Sequence, residues 1–161
     1  MPTNYGKQFE QVIREAFEKV PDVSIDRLHD QTTKFKGTSA NICDFIVYKE
    51  PYEYYIECKS IHGASLPFSN ITDTQWNGLL EKSNIKGVFA GVICWWIDKD
   101  VTLFIPIQVL QNFRTVGLKS IRWDDPDRRI VSRRIVRISG KKKRVFWEYD
   151  MEEFFNAVSM S

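Results

Sequence analysis

Apolar residues near the N-terminus recur at alternating steps of three and one, which is the spacing of one face of a helix. They are Phe9, Val12, Ile13, Ala16, Phe17 and Val20. Pro21 comes directly after the last of them and cannot continue a helix, so the pattern predicts an amphipathic helix that ends near this proline. Glu10 lies at the border of the apolar face.

The segments that follow alternate in polarity or run apolar, as strands do. The stretch DFIVYKEPYEYYIECKS predicts a hairpin of two strands with its turn at Pro51. The polar segment before it is predicted to be a loop, or a short strand followed by an excursion of the chain. VFAGVICWWI predicts a buried strand, and VTLFI its partner across a DKD turn. Helices are predicted from about Asp73 to Lys82, from Pro106, and in DMEEFFNAV. The order α-β-β-β-α-β-β-α predicts an α/β protein, a mixed sheet with helices on its faces.

The length of 161 residues, with 43% hydrophobic and 27% charged residues, is ordinary for one soluble domain, and we expect residues 1–161 to form one. The longest apolar stretch, Val88 to Ile97, is too short to cross a membrane, so no membrane partner is expected. The cysteines show no C-x-x-C spacing, which argues against a zinc site or a disulfide framework and favours a cytoplasmic protein. Cys43 and Cys58 are predicted to face each other across the hairpin as buried, reduced thiols.

Charge is distributed unevenly along the chain. The segment from Arg114 to Arg144 holds 12 Lys and Arg against 3 Asp and Glu, whereas the rest holds 11 against 18. Aromatic and β-branched residues interrupt this basic segment, which favours an ordered basic surface that binds a nucleic-acid backbone over a merely solvated face. The candidates for phosphate contacts are Lys119, Arg122, Arg128, Arg129, Arg133, Arg134, Lys141, Lys142, Lys143 and Arg144.

The second strand of the hairpin ends with an acid and a base on one face, because Glu57 and Lys59 are two residues apart. If the turn centres on Glu50 and Pro51, Asp44 lies directly opposite Glu57. Two carboxylates so placed need a shared proton or a cation, and Mg²⁺ suits oxygen ligands. The pattern therefore predicts a metal site with a lysine in reach of a phosphate or of an attacking water. The alternative is an exposed ion pair on a half-solvated strand.

Taken together, these residues resemble the core of the PD-(D/E)XK nucleases, and most closely the RecU-type Holliday junction resolvases. CDFIVY and YYIECKS are similar to the D-F-x-x-Y and Y-x-E-x-K stretches of that family. LPFSNITDTQ is similar to its S-F-P-x-x-x-I-x-x-x-Q segment, and GLKSI to its G-x-K-S-I segment. The resemblance covers residues 4 to about 123 and implies a restriction-endonuclease-like core with the order α-β-β-β-α-β.

The resemblance implies a Mg²⁺-dependent endodeoxyribonuclease that resolves four-way (Holliday) DNA junctions by symmetric phosphodiester hydrolysis, in DNA recombination and repair. It also implies a homodimer, contact with a recombinase, and the cytoplasm of a bacterial cell as its location. The implied catalytic residues are Asp44, Glu57, Lys59, Gln75 and Glu10. The implied ligands of Mg²⁺, or of Mn²⁺ in its place, are Asp44, Glu57, the carbonyl oxygen of Cys58, and Gln75.

Three features differ from the usual pattern of cellular members. Asn4-Tyr5-Gly6 stands where those proteins have Asn-Arg-Gly, and Ile42 and Cys43 stand where a threonine precedes the aspartate. The excursion before Asp44 is short, which predicts a reduced stalk for the centre of the junction. A short protein of this kind would suit a bacteriophage.

The residues alone leave other functions open. The same core would serve a restriction or repair nuclease that cuts ordinary duplex DNA, or a non-catalytic DNA-binding module of recombination. Gln75 has a structural alternative, a capping box with Thr72 at a helix start, and the two roles are compatible. Glu10 has one as well, an ion pair with Arg14 one turn along its own helix.

Overall fold

The structure of the protein is a computed structural model that describes residues 4–28, 41–128 and 134–160. The helices are α1 (Tyr5–Glu18), α2 (Asp73–Ser83), α3 (Ile107–Thr115), α4 (Asp125–Arg128) and α5 (Met151–Met160). The strands are β1 (Val23–Arg27), β2 (Phe45–Lys49), β3 (Tyr52–Ile61), β4 (Ser65–Pro67), β5 (Val88–Trp96), β6 (Val101–Pro106), β7 (Ser120–Arg122), β8 (Val136–Arg137), β9 (Gly140–Lys142) and β10 (Trp147–Tyr149).

One mixed sheet forms the centre of the described structure, with strand order β1-β2-β3-β5-β6-β8. β3 and β5 are parallel, and the other neighbouring strands are antiparallel. β4 pairs with β7, and β9 with β10, in two small separate ladders. The predicted α/β fold is confirmed, and α1 to β5 follow the expected order α-β-β-β-α-β with the short β4 inserted before α2.

The predicted N-terminal helix is α1. Asn4 caps it, because its side-chain oxygen accepts a hydrogen bond from the backbone N–H of Lys7 at 3.1 Å. The apolar stripe is buried against the sheet at Phe9, Ile13 and Phe17, each at most 1% exposed. The capped start and the buried stripe together account for this helix.

Alternate residues of β3 face the two sides of the sheet. Tyr54 and Ile56 lie in a core with residues of α1 and α5, whereas Tyr55 lies in a second core with residues of α2 and α3. Since side chains alternate along a strand, Glu57 faces the same side as Tyr55. A hydrogen bond from Gln75 of α2 to Glu57 agrees with this placement.

The register of the hairpin is the one that the sequence predicts. Lys49 pairs with Tyr52 and Phe45 with Ile56, so the turn centres on Glu50 and Pro51. β3 has ten residues and β2 has five, so β3 continues beyond the end of the pairing. On its other edge, β3 stays paired with β5 as far as Ile61.

One expectation needs correction. Cys43 and Cys58 are free thiols, but they pack on opposite sides of the sheet, because the strict alternation of β2 begins only at Phe45. Within its described part, the basic segment forms the short strands β7, β8 and β9 and the helix α4. Arg129 and Arg133 lie outside the described residues. No helix among the described residues is long and apolar enough to cross a membrane.

Candidate active site

Asp44 is held by its main chain just before β2 begins. Its backbone N–H donates to the carbonyl oxygen of Ile56 at 3.0 Å, and its own carbonyl oxygen accepts from the N–H of Leu28 at 2.8 Å. Its carboxylate oxygen Oδ2 accepts a hydrogen bond from the backbone N–H of Cys58 at 2.8 Å. The carboxylate is therefore fixed at the point where β3 runs past the end of β2.

Glu57 is a buried acid, 3% exposed, next to Asp44. Its Oε2 accepts hydrogen bonds from Lys59 Nζ and Gln75 Nε2, both at 3.0 Å. Its Oε1 is buried and has no hydrogen-bond partner among the described residues. Burial first, and then the negative charge of Asp44, raise the pKa of Glu57 to about 8, although Lys59 acts in the opposite direction. In the absence of a cation, Glu57 is therefore held mostly in its protonated form at neutral pH.

Gln75 has both of the roles that its sequence context suggests. Its backbone N–H donates to Thr72 Oγ1 at 3.2 Å, and its Oε1 accepts from the Thr72 N–H at 3.1 Å, which completes a capping box at the start of α2. Its Nε2 is then left to donate to Glu57. Because the amide oxygen Oε1 faces Thr72, Gln75 presents its NH₂ group to the site. The hydrogen bond from this group orients the carboxyl group of Glu57. Gln75 as a metal ligand stays a prediction that requires its amide to turn.

The carbonyl oxygen of Cys58 completes the set of oxygen atoms. In a strand, the N–H and C=O of one residue point towards the same neighbouring strand, and the Cys58 N–H points to Asp44. β2 pairs with β3 only as far as Ile56, so β2 does not reach this carbonyl group. Two carboxylates and a carbonyl oxygen are ligands that suit Mg²⁺, which keeps several of its waters.

The donor set for a metal is small. Among the described residues, no group of three or more His, Cys, Asp or Glu side chains is placed to hold a metal ion. The thiol of Cys58 does not add a ligand, because burial and the negative charges of Asp44, Glu57 and Glu10 raise its pKa well above the ordinary value. An ion at this site would therefore depend on two carboxylates, a carbonyl oxygen and water.

Glu10 lies on the α1 side of the sheet, where its charge reaches the Cys58 thiol. Its Oε1 accepts a hydrogen bond from Arg27 Nε at 3.1 Å. The alternative pair with Arg14 is wrong, since Arg14 bonds instead to Glu18 at 3.0 Å. The sequence did not indicate that Arg27 pairs with Glu10. That pair could have been expected only if β1 had been recognised as a strand that lies beside α1. A supporting role of Glu10 in catalysis stays a prediction.

Several of the candidate phosphate contacts are already paired with acids. Arg122 Nε lies 2.9 Å from an oxygen of Asp124, Lys143 Nζ lies 3.3 Å from one of Glu148, and Lys142 pairs with Asp100. The side chains of Lys119, Lys141 and Arg144 are exposed, as is that of Arg134, which also has a partner, while Arg128 is the last residue of α4. The basic segment is therefore partly an ion-paired surface, because Asp124 within it and two acids from other parts of the chain, Asp100 and Glu148, pair with its cations.

One solved structure that resembles this chain is that of Archaeoglobus fulgidus Hjc, a Holliday junction resolvase from an archaeal hyperthermophile. The two are 18% identical, the similarity covers 75% of this chain and 88% of that chain, and the TM-score is 0.47. No protein-family model matches the chain, and no curated protein matches it. A likeness of this extent carries no argument about function, so the function has to be inferred from the site.

Proposed function

We propose that the protein is a metal-dependent endodeoxyribonuclease that resolves four-way DNA junctions by symmetric hydrolysis of phosphodiester bonds. One observation carries the catalytic part of the proposal. The buried Glu57 has an oxygen without a hydrogen-bond partner among the described residues, beside Asp44 and Lys59. A buried acid with one oxygen left unbonded is costly for folding, and such costs are typical of functional sites.

Asp44, Glu57 and the carbonyl oxygen of Cys58 would hold Mg²⁺ or Mn²⁺. When bound, the ion would polarise the scissile phosphate and lower the pKa of a water ligand. Lys59, held 3.0 Å from Glu57 Oε2, would orient the attacking water and stabilise negative charge on the phosphate oxygens. Gln75 and the Cys58 N–H keep the two carboxylates in position through their hydrogen bonds.

The preference for junctions is supported by the way the resolvase-like stretches assemble. β4, from LPFSNITDTQ, pairs with β7, from GLKSI, so that Pro67 lies opposite Ser120. The same LPFSNITDTQ stretch ends at Gln75, which bonds to Glu57 of the YYIECKS stretch. Segments that are far apart in sequence thus meet beside one site. Symmetric cuts in a four-way junction need two such sites related by a twofold axis, so we propose a homodimer.

The basic surface would bind the arms of the junction. On the hairpin of β9 and β10, Lys141 and Arg144 are exposed, whereas Lys142 and Lys143 are paired with acids. We therefore assign phosphate contacts first to Lys141 and Arg144. Such contacts would act on all sequences alike, because they recognise the backbone and not the bases.

The test is cleavage of a synthetic immobile four-way junction and of a matched linear duplex in Mg²⁺. The wild type is expected to introduce paired, symmetric nicks in the junction only, and Glu57→Gln is expected to bind without cutting. Glu53→Gln is a matched control, because Glu53 lies on the same strand at the hairpin end, away from Asp44. Equal cutting of the duplex would contradict junction selectivity, and the absence of cutting with either Mg²⁺ or Mn²⁺ would contradict the nuclease.

A further inference from the structure

A wide groove of about 830 Å³ opens beside the candidate active site. It is too large for a single ion and falls in the range of sites that hold organic ligands, roughly 300–1,000 Å³. The groove lies between the start of α2 and the turn that follows α3, and its lining includes Phe68, Ile71, Thr72, Arg114, Leu118 and Lys119. Apolar side chains, two cations and one acid, Asp73, therefore share one concave surface, on which positive charge is in excess.

The groove lies beside the active site, and the first turn of α2 separates the two. Thr72 lines the groove and is bonded in both directions to Gln75. Gln75 in turn donates a hydrogen bond to Glu57. A polymer strand whose reacting phosphate lies at Glu57 would therefore reach the groove by passing over the first turn of α2.

Arg114 is held in place on one wall of the groove. Its guanidinium lies 4.8 Å from the ring centroid of Trp76, which is buried directly after Gln75. The indole N–H of Trp76 donates to Gln111 Oε1 at 2.7 Å, which ties α2 to the helix that carries Arg114. A guanidinium stacked on a ring keeps its N–H edge for an anion, and no carboxylate pairs with Arg114 among the described residues.

Lys119 is placed on the same surface by its backbone. Gly117, with φ of 92°, ends α3, and the N–H of Leu118 donates to the carbonyl oxygen of Phe113 at 3.0 Å. The carbonyl oxygen of Lys119 then accepts from the N–H of Phe68 at 2.9 Å. The side chain of Lys119 is exposed, and no carboxylate pairs with it within the described ranges.

We propose that this groove binds the sugar–phosphate backbone of the DNA strand next to the scissile bond, with Arg114 and Lys119 each contacting a phosphate. The proposal rests on the proposed function in one respect, namely that the bound strand is the one that is cut. The occupant follows from charge complementarity, since two cations outnumber the one acid in the lining, and from the position of the groove beside the site. The apolar floor formed by Phe68, Ile71 and Leu118 would pack against the sugars.

The experiment measures DNA affinity against salt concentration for Arg114→Ala, Lys119→Ala and the double variant. All are made in the Glu57→Gln background, so that binding is measured without cleavage. Each lost phosphate contact should reduce the slope of log K against log salt by about 0.9 on duplex arms, and the double variant by about twice that. Lys86→Ala is the control, because Lys86 is exposed at the opposite end of α2 and should leave the slope unchanged.

Arg114→Lys separates charge from packing, because it keeps the cation and loses the planar stack on Trp76. It should retain the slope of the Glu57→Gln background, and thermal melting confirms that each variant is folded. Unchanged slopes in both folded single variants would overturn the proposal. A changed oligomeric state with unchanged slopes would overturn it in favour of a second copy of the chain in the groove.

A second measurement places the contacts along the strand. Single phosphates around the cleavage position are replaced by neutral methylphosphonates, and each replacement is combined with Arg114→Ala in a double-mutant cycle. At one position, the replacement should weaken DNA binding by the Glu57→Gln protein. The same replacement should not weaken DNA binding by the Arg114→Ala variant any further. Strictly additive losses at every position would contradict direct contact. The salt dependence of binding can be measured even if the protein does not cleave DNA. The experiment therefore distinguishes a wrong assignment of the groove from a wrong assignment of nuclease activity.

Discussion

The two faces of β3 bury very different side chains. On the face towards α1 and α5, Tyr54 packs in a cluster of aromatic rings with Phe9, Trp95 and Phe154, all 1% exposed. On the other face, only three residues along the strand, Glu57 is buried as deeply and keeps an oxygen without a partner among the described residues. The first face provides stability, whereas the second uses part of that stability to hold a charged site.

The aromatic face should give the largest effect on stability. Phe154→Ala removes a ring that packs against Phe17, Tyr54 and Phe104, and leaves a cavity in a core that cannot collapse around it. We expect the free energy of unfolding to fall by about 3–5 kcal/mol in urea titrations, with cleavage per folded molecule unchanged. A loss of activity without a loss of stability would contradict the claim that one face of β3 stabilises the fold and the other holds the active site.

The charged face should respond in the opposite way. Lys59→Met removes the ammonium group beside Glu57, so charge on the phosphate would lose its fixed partner. We expect single-turnover cleavage to slow by about 10²–10³-fold, with little change in urea stability. Lys49→Met is the matched control, since Lys49 lies at the hairpin end and its Nζ donates to the carbonyl oxygen of Pro21. Equal losses in the two variants would contradict the role of Lys59.

The last effect is of a different kind, namely a pH dependence of stability in the metal-free protein. The folded pKa of Glu57 is about 8 and its ordinary value 4.5, so between these limits the unfolded chain ionises while the folded chain keeps the proton. The contribution of Glu57 is fully present below pH 4.5 and is lost as pH rises through 8. Because each pH unit between the unfolded and folded pKa is worth about 1.4 kcal/mol, the loss should be on the order of 5 kcal/mol, and it should be missing in Glu57→Gln. Parallel stability–pH curves for the two proteins would show that Glu57 is not perturbed.

The sequence was enough to predict what depends on local rules. The register that brings Asp44 beside Glu57 follows from a short turn, and the shared face of Glu57 and Lys59 follows from the two-residue period of a strand. Gln75 was predictable as a cap from Thr72 and as a site residue from the resemblance. These contacts are set within one hairpin or one helix turn, or by a quoted motif.

Contacts that depend on packing between distant segments could not be predicted. Arg27 reaches Glu10 only because β1 lies beside α1, and Asp100 reaches Lys142 only because the β9–β10 hairpin packs against the turn before β6. Cys43 lies one residue before Asp44, where the chain leaves the regular alternation of β2. Patterns of period two or 3.6 carry no information about such tertiary neighbours.

The central claim is that Asp44 and Glu57 form a metal site, and calorimetric titration with Mg²⁺ or Mn²⁺ at pH 7 tests it most directly. Titrations in two buffers of different ionisation enthalpy also count the protons released. Because Glu57 is mostly protonated at pH 7 with a pKa of about 8, binding should release about one proton per ion, and Asp44→Asn and Glu57→Gln should each lose most of the affinity. Glu53→Gln should bind like the wild type. Absence of saturable binding, or equal binding in all four proteins, would contradict the account.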